Sequence, residues 1–397
     1  MSAFRTLDGL DVSGKRTLVR VDLNVPMKDG EVSDDTRIRA VLPTISELSE
    51  KGAKVILLAH FGRPGGEVKP ALSLEPIARA VSERLGKPVA FAADCVGPVA
   101  ADAVEAMNAG DVLLLENTRF HKGEEADDTL FTAQLATLGD IFVNDAFATA
   151  HRAHATTSGL ANHMPAHAGR CMQGEIEALE KALGSPERPV LAIVGGAKVS
   201  TKIDLLENLA QKVDMLVIGG AMANTFLAAR GHDLGKSLME RDLVDTAMRI
   251  DAAASAANCE ILLPLDLVVA KEFAANAQNR ATDLDGVDED EMALDIGPRT
   301  VEDLRARLDN VRTVVWNGPF GAFEMKPFDA GTNAVAEAVA QATRERGLTS
   351  VAGGGDTVAA LNNAGVSDDF TYISTAGGAF LEWLEGKSLP GVEILRA

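Results

Sequence analysis

The sequence predicts an α/β protein of two domains, each a mainly parallel sheet flanked by helices, with a cleft between them. Three observations carry this. At 397 residues the chain exceeds what one ordinary hydrophobic core serves, so two cores are expected. Short apolar runs recur along it, each followed by a glycine-rich or polar turn and then by residues at helical spacing, the order of strand, turn and helix in a parallel sheet. Midway, "GRCMQGEIEALEKALGSPERP" sets Met172, Ile176, Leu179 and Leu183 on one helical face before Gly184 and Pro186 stop it.

Strands are expected at 17–25, 53–60, 111–117 and 140–146 in the first half. In the second half they are expected at 189–196, 214–221, 260–270, 312–318, 349–355 and 370–378. This gives an N-terminal domain over 1–170, a connecting helix over 171–185 and a C-terminal domain over 186–379. The acidic stretch "DLDGVDEDEMALD" (283–295) reads as a solvated loop.

Composition narrows the partners. A net charge of −20 argues against nucleic acid and against anionic membrane surfaces, which are read through basic fields. One Tyr and two Trp leave little surface for stacking bases. Cys95, Cys171 and Cys259 are odd in number and far apart, so they suggest neither a disulfide framework nor a zinc site, but reduced packing residues. No run approaches a membrane span and "MSAFRTLDGLDVSG" lacks a signal-peptide core, so a cytoplasmic location with no membrane partner is expected. An anionic small molecule would then have to be met by local basic groups.

Ligands of open parallel sheets collect at the carboxyl ends of strands. In the first half those positions read "RVDLNVP", "DDTRIR", "HFGRP", "LENTRFH" and "ATAHRAHATT", bringing Asp22, Asn24, Arg37, His60, Arg63, Arg119 and Arg152 toward one edge. A lone arginine there is commonly a surface ion pair, but several together suit a phosphorylated or carboxylated small molecule through bidentate bonds. Asp22 and Asn24 share one strand face by the two-residue period, although Asn24 before Pro26 also suits a turn cap.

The second half ends its strands in "GGAKVSTK", "GGAMANT", "NGPFGAFE", "GGGDT" and "TAGGA". Glycine lets backbone N–H groups approach phosphate, and helix N-termini add a favourable dipole. One such turn means little. Several in one sheet, beside Lys198, Lys202 and Asp356, point to a nucleotide polyphosphate with Mg²⁺. "GHDLGKS" (231–237) has one residue too few between its glycines for a Walker A loop, and no GxGxxG fingerprint occurs. His151, His154, His163 and His167 read as ordinary hydrogen-bonding histidines.

"RVDLNVP", "HFGRP", "LENTRFH", "AHRAHA", "GGAKVSTKI", "DIGPRT", "WNGPFGAFE" and "GGGDT" run in the order found in phosphoglycerate kinases, and the chain resembles that family over its whole length. The resemblance implies two Rossmann-like domains, with a C-terminal segment of about 380–397 returning to the first. It also implies the glycolytic, Mg²⁺-dependent and reversible transfer of phosphate from 1,3-bisphosphoglycerate to ADP, giving 3-phosphoglycerate and ATP, by a monomer. By motif, Asp22, Leu23, Asn24, Arg37, His60, Phe61, Gly62, Arg63, Arg119 and Arg152 would hold the phosphoglycerate. Ala197, Lys198, Lys202, Gly220, Asn317, Pro319, Glu324, Gly353, Gly354, Gly355, Asp356 and Thr357 would hold the nucleotide, with Glu324 at the ribose and Asp356 linked to the metal.

Arg37, Lys198, Lys202, Gly354 and Gly377 would act on the group in transfer. An acyl phosphate carries a good leaving group and ADP supplies the attacking oxygen, so direct in-line transfer after domain closure is expected over a phosphohistidine at His60. Helical spacing would set Lys198 and Lys202 on one face, Lys202 toward the nucleotide's own phosphates and Lys198 toward the group in flight. Ala148, Ala221 and Ala376 stand where the family carries glycine, which leaves the backbone at the 374–379 turn open to question. Two rivals remain: a kinase of another carboxylate such as acetate, and a nucleotide-binding scaffold without turnover.

Overall fold

Leucine- and valine-rich runs too short for helices become strands buried on both faces, as parallel sheets require. RTLVR at Arg16–Arg20, KVILL at Lys54–Leu58, VLLL at Val112–Leu115 and IFVN at Ile141–Asn144 are of this kind. The computed structural model describes residues 4–396. It divides into two compact units, one of Met1–Ile176 with Ser388–Ala397 and the other of Glu177–Lys387. The boundary falls inside the helix Arg170–Leu179. The chain returns to the first unit at Ser388 rather than near residue 380, because the helix Gly377–Leu384 stays with the second unit, where Asn208 Nδ2 donates to the Leu384 carbonyl at 2.5 Å. Asn144 Nδ2 then donates to the Gly391 carbonyl at 3.1 Å, fastening the returning segment to the first unit.

The sheet of the first unit has six parallel strands in the order Val89–Ala92, Val112–Leu115, Lys54–Leu58, Arg16–Arg20, Ile141–Asn144 and Ala166–Ala168. Its first and last members are edge strands absent from the sequence expectation. The second unit carries six more parallel strands, in the order Glu260–Leu262, Met215–Ile218, Val190–Val194, Thr313–Asn317, Thr349–Gly353 and Tyr372–Ser374. In both sheets the strand that comes first in the chain is central, and the strand order turns outward from it in both directions. A crevice opens at such a reversal, at the carboxyl ends of the strands.

Two expectations are corrected. The run 260–270 is not one strand: Pro264 has no N–H for a ladder, so Glu260–Leu262 stays in the parallel sheet. Asp266–Ala270 instead joins Asn279–Asp283 and Met292–Ile296 in a separate antiparallel sheet of three strands. The acidic stretch 283–295 is therefore not simply a loop, since it supplies ends to two of those strands. Its Glu291 is buried and meets Arg280 Nη2 at 2.6 Å. Its Asp295 is buried too and accepts N–H bonds from Ile296 at 2.9 Å and Gly331 at 2.7 Å.

Candidate active site

In the first unit the loops that follow the central strands interlock through their predicted ligand groups. Asn24 Oδ1 accepts the Gly62 amide at 2.9 Å, and Arg119 Nη1 donates to the Gly62 carbonyl at 3.0 Å. Arg37 Nη1 donates to Asp22 Oδ2 at 2.9 Å and to the Asn24 carbonyl at 3.1 Å, with the side chain 36% exposed. Asp22 Oδ1 also takes the Asn24 amide at 3.1 Å, so these residues form a turn beyond the strand end at Arg20.

His60 is buried beneath this edge, and its Nδ1 lies 2.9 Å from Arg20 Nη2. A guanidinium only donates, so Nδ1 is the acceptor and the neutral ring carries its proton on Nε2. Burial, then Arg20, Arg119, Arg152 and Arg37, hold the His60 pKa well below its ordinary value. Arg20 touches this imidazole, and the charges of three further guanidiniums also oppose its protonation. Arg119 is 2% exposed and its buried Nη2 has no hydrogen-bond partner among the described residues. Its Nε lies 3.2 Å from Glu125 without hydrogen-bond geometry, so much of this guanidinium's donor capacity is unused.

In the second unit two backbone turns meet at the reversal of the sheet. Gly195 follows Val190–Val194 and Gly318 follows Thr313–Asn317. A Cβ on Gly195 would lie 1.9 Å from the Pro319 carbonyl oxygen, and Gly318, at φ +103°, comes as close to Gly195. Only glycine permits the approach. Lys202 reaches back into this junction: its Nζ donates to the Gly195 carbonyl at 2.6 Å and to Asn317 Oδ1 at 2.7 Å. Asn317 Nδ2 donates onward to the Gly353 carbonyl at 2.8 Å, and Thr357 Oγ1 accepts the Gly318 amide at 2.7 Å. Burial pushes the Lys202 pKa down to about 8, against the pull of Asp356.

Beside the junction opens a cavity of about 500 Å³. Gly196, Ala197, Gly220, Pro319, Glu324 and Asp356 line it, with an apolar wall that includes Leu238, Leu267, Phe273, Met292 and Leu294. An apolar slot bordered by glycine turns and an acidic helix start, beside the junction that Lys202 joins, suits a planar ring attached to phosphates.

A family model described as phosphoglycerate kinase matches residues 7–387. The chain belongs to the phosphoglycerate kinase family. Among its relatives, the phosphoglycerate kinase of Rhizobium meliloti (strain 1021) is 65% identical over 394 residues, covering 99% of each chain. That of Azorhizobium caulinodans is 65% identical over 396 residues, covering 100% of each. The solved phosphoglycerate kinase of Coxiella burnetii superposes with a TM-score of 0.92 at 44% identity, covering 99% of this chain and 98% of that one. The enzyme of Pyrococcus horikoshii gives 0.81 at 36%, covering 98% of each. As a member of this family the chain is a phosphotransferase whose acceptor is a carboxyl group.

Several residues sit otherwise than their motifs suggested. Lys198 and Lys202 do not share a helical face: Lys198 is extended at φ −139° and ψ 127°, a three-residue turn Val199–Thr201 follows, and the helix starts only at Ile203. The glycine pair before Lys198 keeps the chain extended past the strand, so the four-residue spacing never becomes a helical turn. Lys198 is exposed while Lys202 is mostly covered. Leu23 is fully buried in the core of the first unit, leaving only its backbone to meet a ligand, and Phe61 packs against the same core. Arg63 is exposed, and Arg152 Nε donates to His151 Nε2 at 3.1 Å.

Gly353 ends its strand, Gly354 at φ +96° precedes the helix Gly355–Asn363, and Gly377 opens the helix Gly377–Leu384. Ala376 has φ −98°, and neither Ala148 nor Ala221 has a positive φ, so alanine is unstrained in all three glycine slots.

The sequence reading passed over Arg20 and Glu124, and took His154 for an ordinary hydrogen-bonding histidine, although its buried Nδ1 has no hydrogen-bond partner among the described residues. Arg20 is fully buried, with Nη1 donating to the Val21 carbonyl at 2.6 Å. Glu124, also fully buried, accepts Thr156 Oγ1 at 2.5 Å and the Thr156 amide at 3.2 Å, and burial raises its pKa while Arg20 opposes the rise. Burial, then Arg119 and Arg152, take the His154 pKa down to about 4. The available signal was an arginine ending the otherwise apolar strand "TLVR", where a solvated side chain has no room.

Proposed function

We propose that the first unit binds 3-phosphoglycerate or 1,3-bisphosphoglycerate, that the second binds ATP or ADP, and that phosphate passes directly between them once the units close. One observation supports this above the rest: Arg119 keeps buried donors unused where its charge and those of Arg20, Arg37 and Arg152 all bear on a neutral His60, an environment suited to an anion. Asp22, Asn24 and Gly62 fix the loops that present these groups. On the nucleotide side Lys202, the Gly354 turn and the start of the helix Gly377–Leu384 offer donors to phosphate oxygens, and Glu324 borders the cavity where a ribose would lie.

Asp356 fits a role in holding Mg²⁺. It is an exposed carboxylate in the first turn of Gly355–Asn363, it lines the cavity, and it lies near enough to Lys202 to influence its proton. A cation that keeps several waters and shares phosphate oxygens needs few protein ligands. When bound, it would neutralise charge on the nucleotide phosphates. Arg37 and Lys198 then neutralise the equatorial oxygens of the group in transfer, which is where catalysis without a protein nucleophile must act. His60 is a poor nucleophile, because Nδ1 accepts from Arg20 and Nε2 carries a proton. The test is turnover with ATP against 3-phosphoglycerate and acetate in a coupled assay. Turnover with 3-phosphoglycerate alone is expected, turnover with acetate would favour the rival kinase, and nucleotide binding without turnover would favour a scaffold.

A further inference from the structure

The turn between the two lysines is held by a carboxylate from elsewhere in the second unit. Glu240 Oε2 accepts the Ser200 amide at 2.9 Å while Oε1 accepts the Ser200 hydroxyl at 2.5 Å. Early amides of a helical turn have no partner within it, so an external carboxylate here both satisfies a donor and favours the turn's positive end. Two charge-assisted bonds to one residue fix orientation as well as distance. The turn is closed from within by Thr201 Oγ1 donating to the Lys198 carbonyl and by the Lys202 amide donating to the Val199 carbonyl, both at 2.9 Å. The backbone of both lysines therefore follows wherever Ser200 is held.

Glu240 is itself anchored. Its amide donates to Thr225 Oγ1 at 3.1 Å, and Asn224 Nδ2 donates to the Leu238 carbonyl at 3.0 Å, so 238–240 lies fastened along the helix Ala221–Ala229. That helix starts at the glycine junction, where the Met222 amide donates to the Gly196 carbonyl at 3.0 Å. Leu238 lines the nucleotide cavity. One short segment thus touches the cavity wall at one end and the lysine turn at the other. Burial of Glu240 works against its charge, but the Ser200 bonds prevail and its carboxyl lies below the ordinary range, ionised at neutral pH.

We propose that Glu240 is a positioning residue for phosphoryl transfer: by gripping Ser200 it sets the Val199–Thr201 turn so that Lys198 and Lys202 address the phosphates together. This rests on the nucleotide-site reading above. It also separates geometry from charge. Glutamine can keep both contacts, donating to the Ser200 hydroxyl and accepting its amide, whereas alanine keeps neither.

The experiment compares wild type, Glu240→Ala, Glu240→Gln, Ser200→Ala and the Glu240→Ala/Ser200→Ala double variant. kcat and both KM values are read by coupled assay, with melting temperatures as a check on folding. Glu240→Ala is expected to lower kcat roughly tenfold or more, as small misplacements of catalytic groups do, with KM for 3-phosphoglycerate unchanged. Glu240→Gln should stay within about threefold of wild type, and the double variant should be no worse than Glu240→Ala, because the hydroxyl bond that Ser200→Ala removes is already lost with Glu240. Wild-type kcat in Glu240→Ala, equal losses in the Gln and Ala variants, or multiplying losses in the double variant would each overturn the proposal. Absence of turnover in wild type would instead overturn the nucleotide-site reading on which it stands.

Discussion

Lys202 should take up a proton when nucleotide binds. Its ammonium is mostly buried and its pKa is pushed from 10.5 down to about 8. Without ligand, half of the molecules are therefore uncharged there at a pH of about 8. A polyphosphate beside Nζ favours the charged form and restores the proton. If the bound pKa returns to its ordinary range, the uptake due to Lys202 is about 0.1 proton per nucleotide near pH 7, about 0.5 near pH 8 and about 0.9 near pH 9. Recharging the lysine near pH 9 costs about 1.4 kcal/mol, so affinity should decline there by about tenfold. The free protein carries the matching sign. Because the folded chain gives up this proton more readily than the unfolded chain, the cost of burying charged Lys202 is present below about pH 8 and is lifted as pH rises toward 10.5. Calorimetric titration with ADP in buffers of differing ionisation enthalpy reads the uptake directly, and Lys202→Met subtracts every other source. Equal uptake in wild type and variant between about pH 8 and 9 would refute the placement of Lys202 at the phosphates.

Three further outcomes follow from the same geometry. Gly195→Ala places a Cβ 1.9 Å from the Pro319 carbonyl oxygen, a backbone atom that cannot swing aside, and denaturant unfolding should show a loss of about 3 kcal/mol. Gly377→Ala, with nothing within 4 Å of its Cβ, should stay within about 0.5 kcal/mol; similar losses at both positions would contradict this. Arg37→Ala should lower kcat by roughly a hundredfold while the directly measured Kd for ADP changes less than about twofold, and parallel losses would remove Arg37 from the transition state. Transfer of a chiral thiophosphoryl group should proceed with inversion at phosphorus, since neither nitrogen of His60 offers a free lone pair. Retention would point to a phosphohistidine.

The central strands were legible because an apolar run of four or five residues buried on both faces leaves an unambiguous pattern. The edge strands Val89–Ala92 and Ala166–Ala168 were not, since VAFA is only half covered and AHA carries a polar residue at its centre. Pro264 interrupted an apolar run that otherwise reads as one strand, and the acidic 283–295 stretch misled because its composition marks a solvated loop while partners outside it, such as Arg280 and the Gly331 amide, hold Glu291 and Asp295 in place. In the site, residues that close strand ends could be named from motif order. Arg20 could not, because its task is to hold another site residue from within the core. The lysine pair shows the converse limit, where correct spacing gave the wrong geometry because Lys198 is still extended and a short turn intervenes before the helix starts at Ile203.

The division of labour between the two units is tested most directly by titrating 3-phosphoglycerate and ADP separately into wild type, Arg119→Ala and Lys202→Met. Arg119→Ala is expected to weaken 3-phosphoglycerate binding by roughly a hundredfold, as loss of a buried charged donor should, and to leave ADP unchanged, while Lys202→Met does the reverse. Loss of ADP binding in Arg119→Ala, or undiminished 3-phosphoglycerate binding there, would contradict that division.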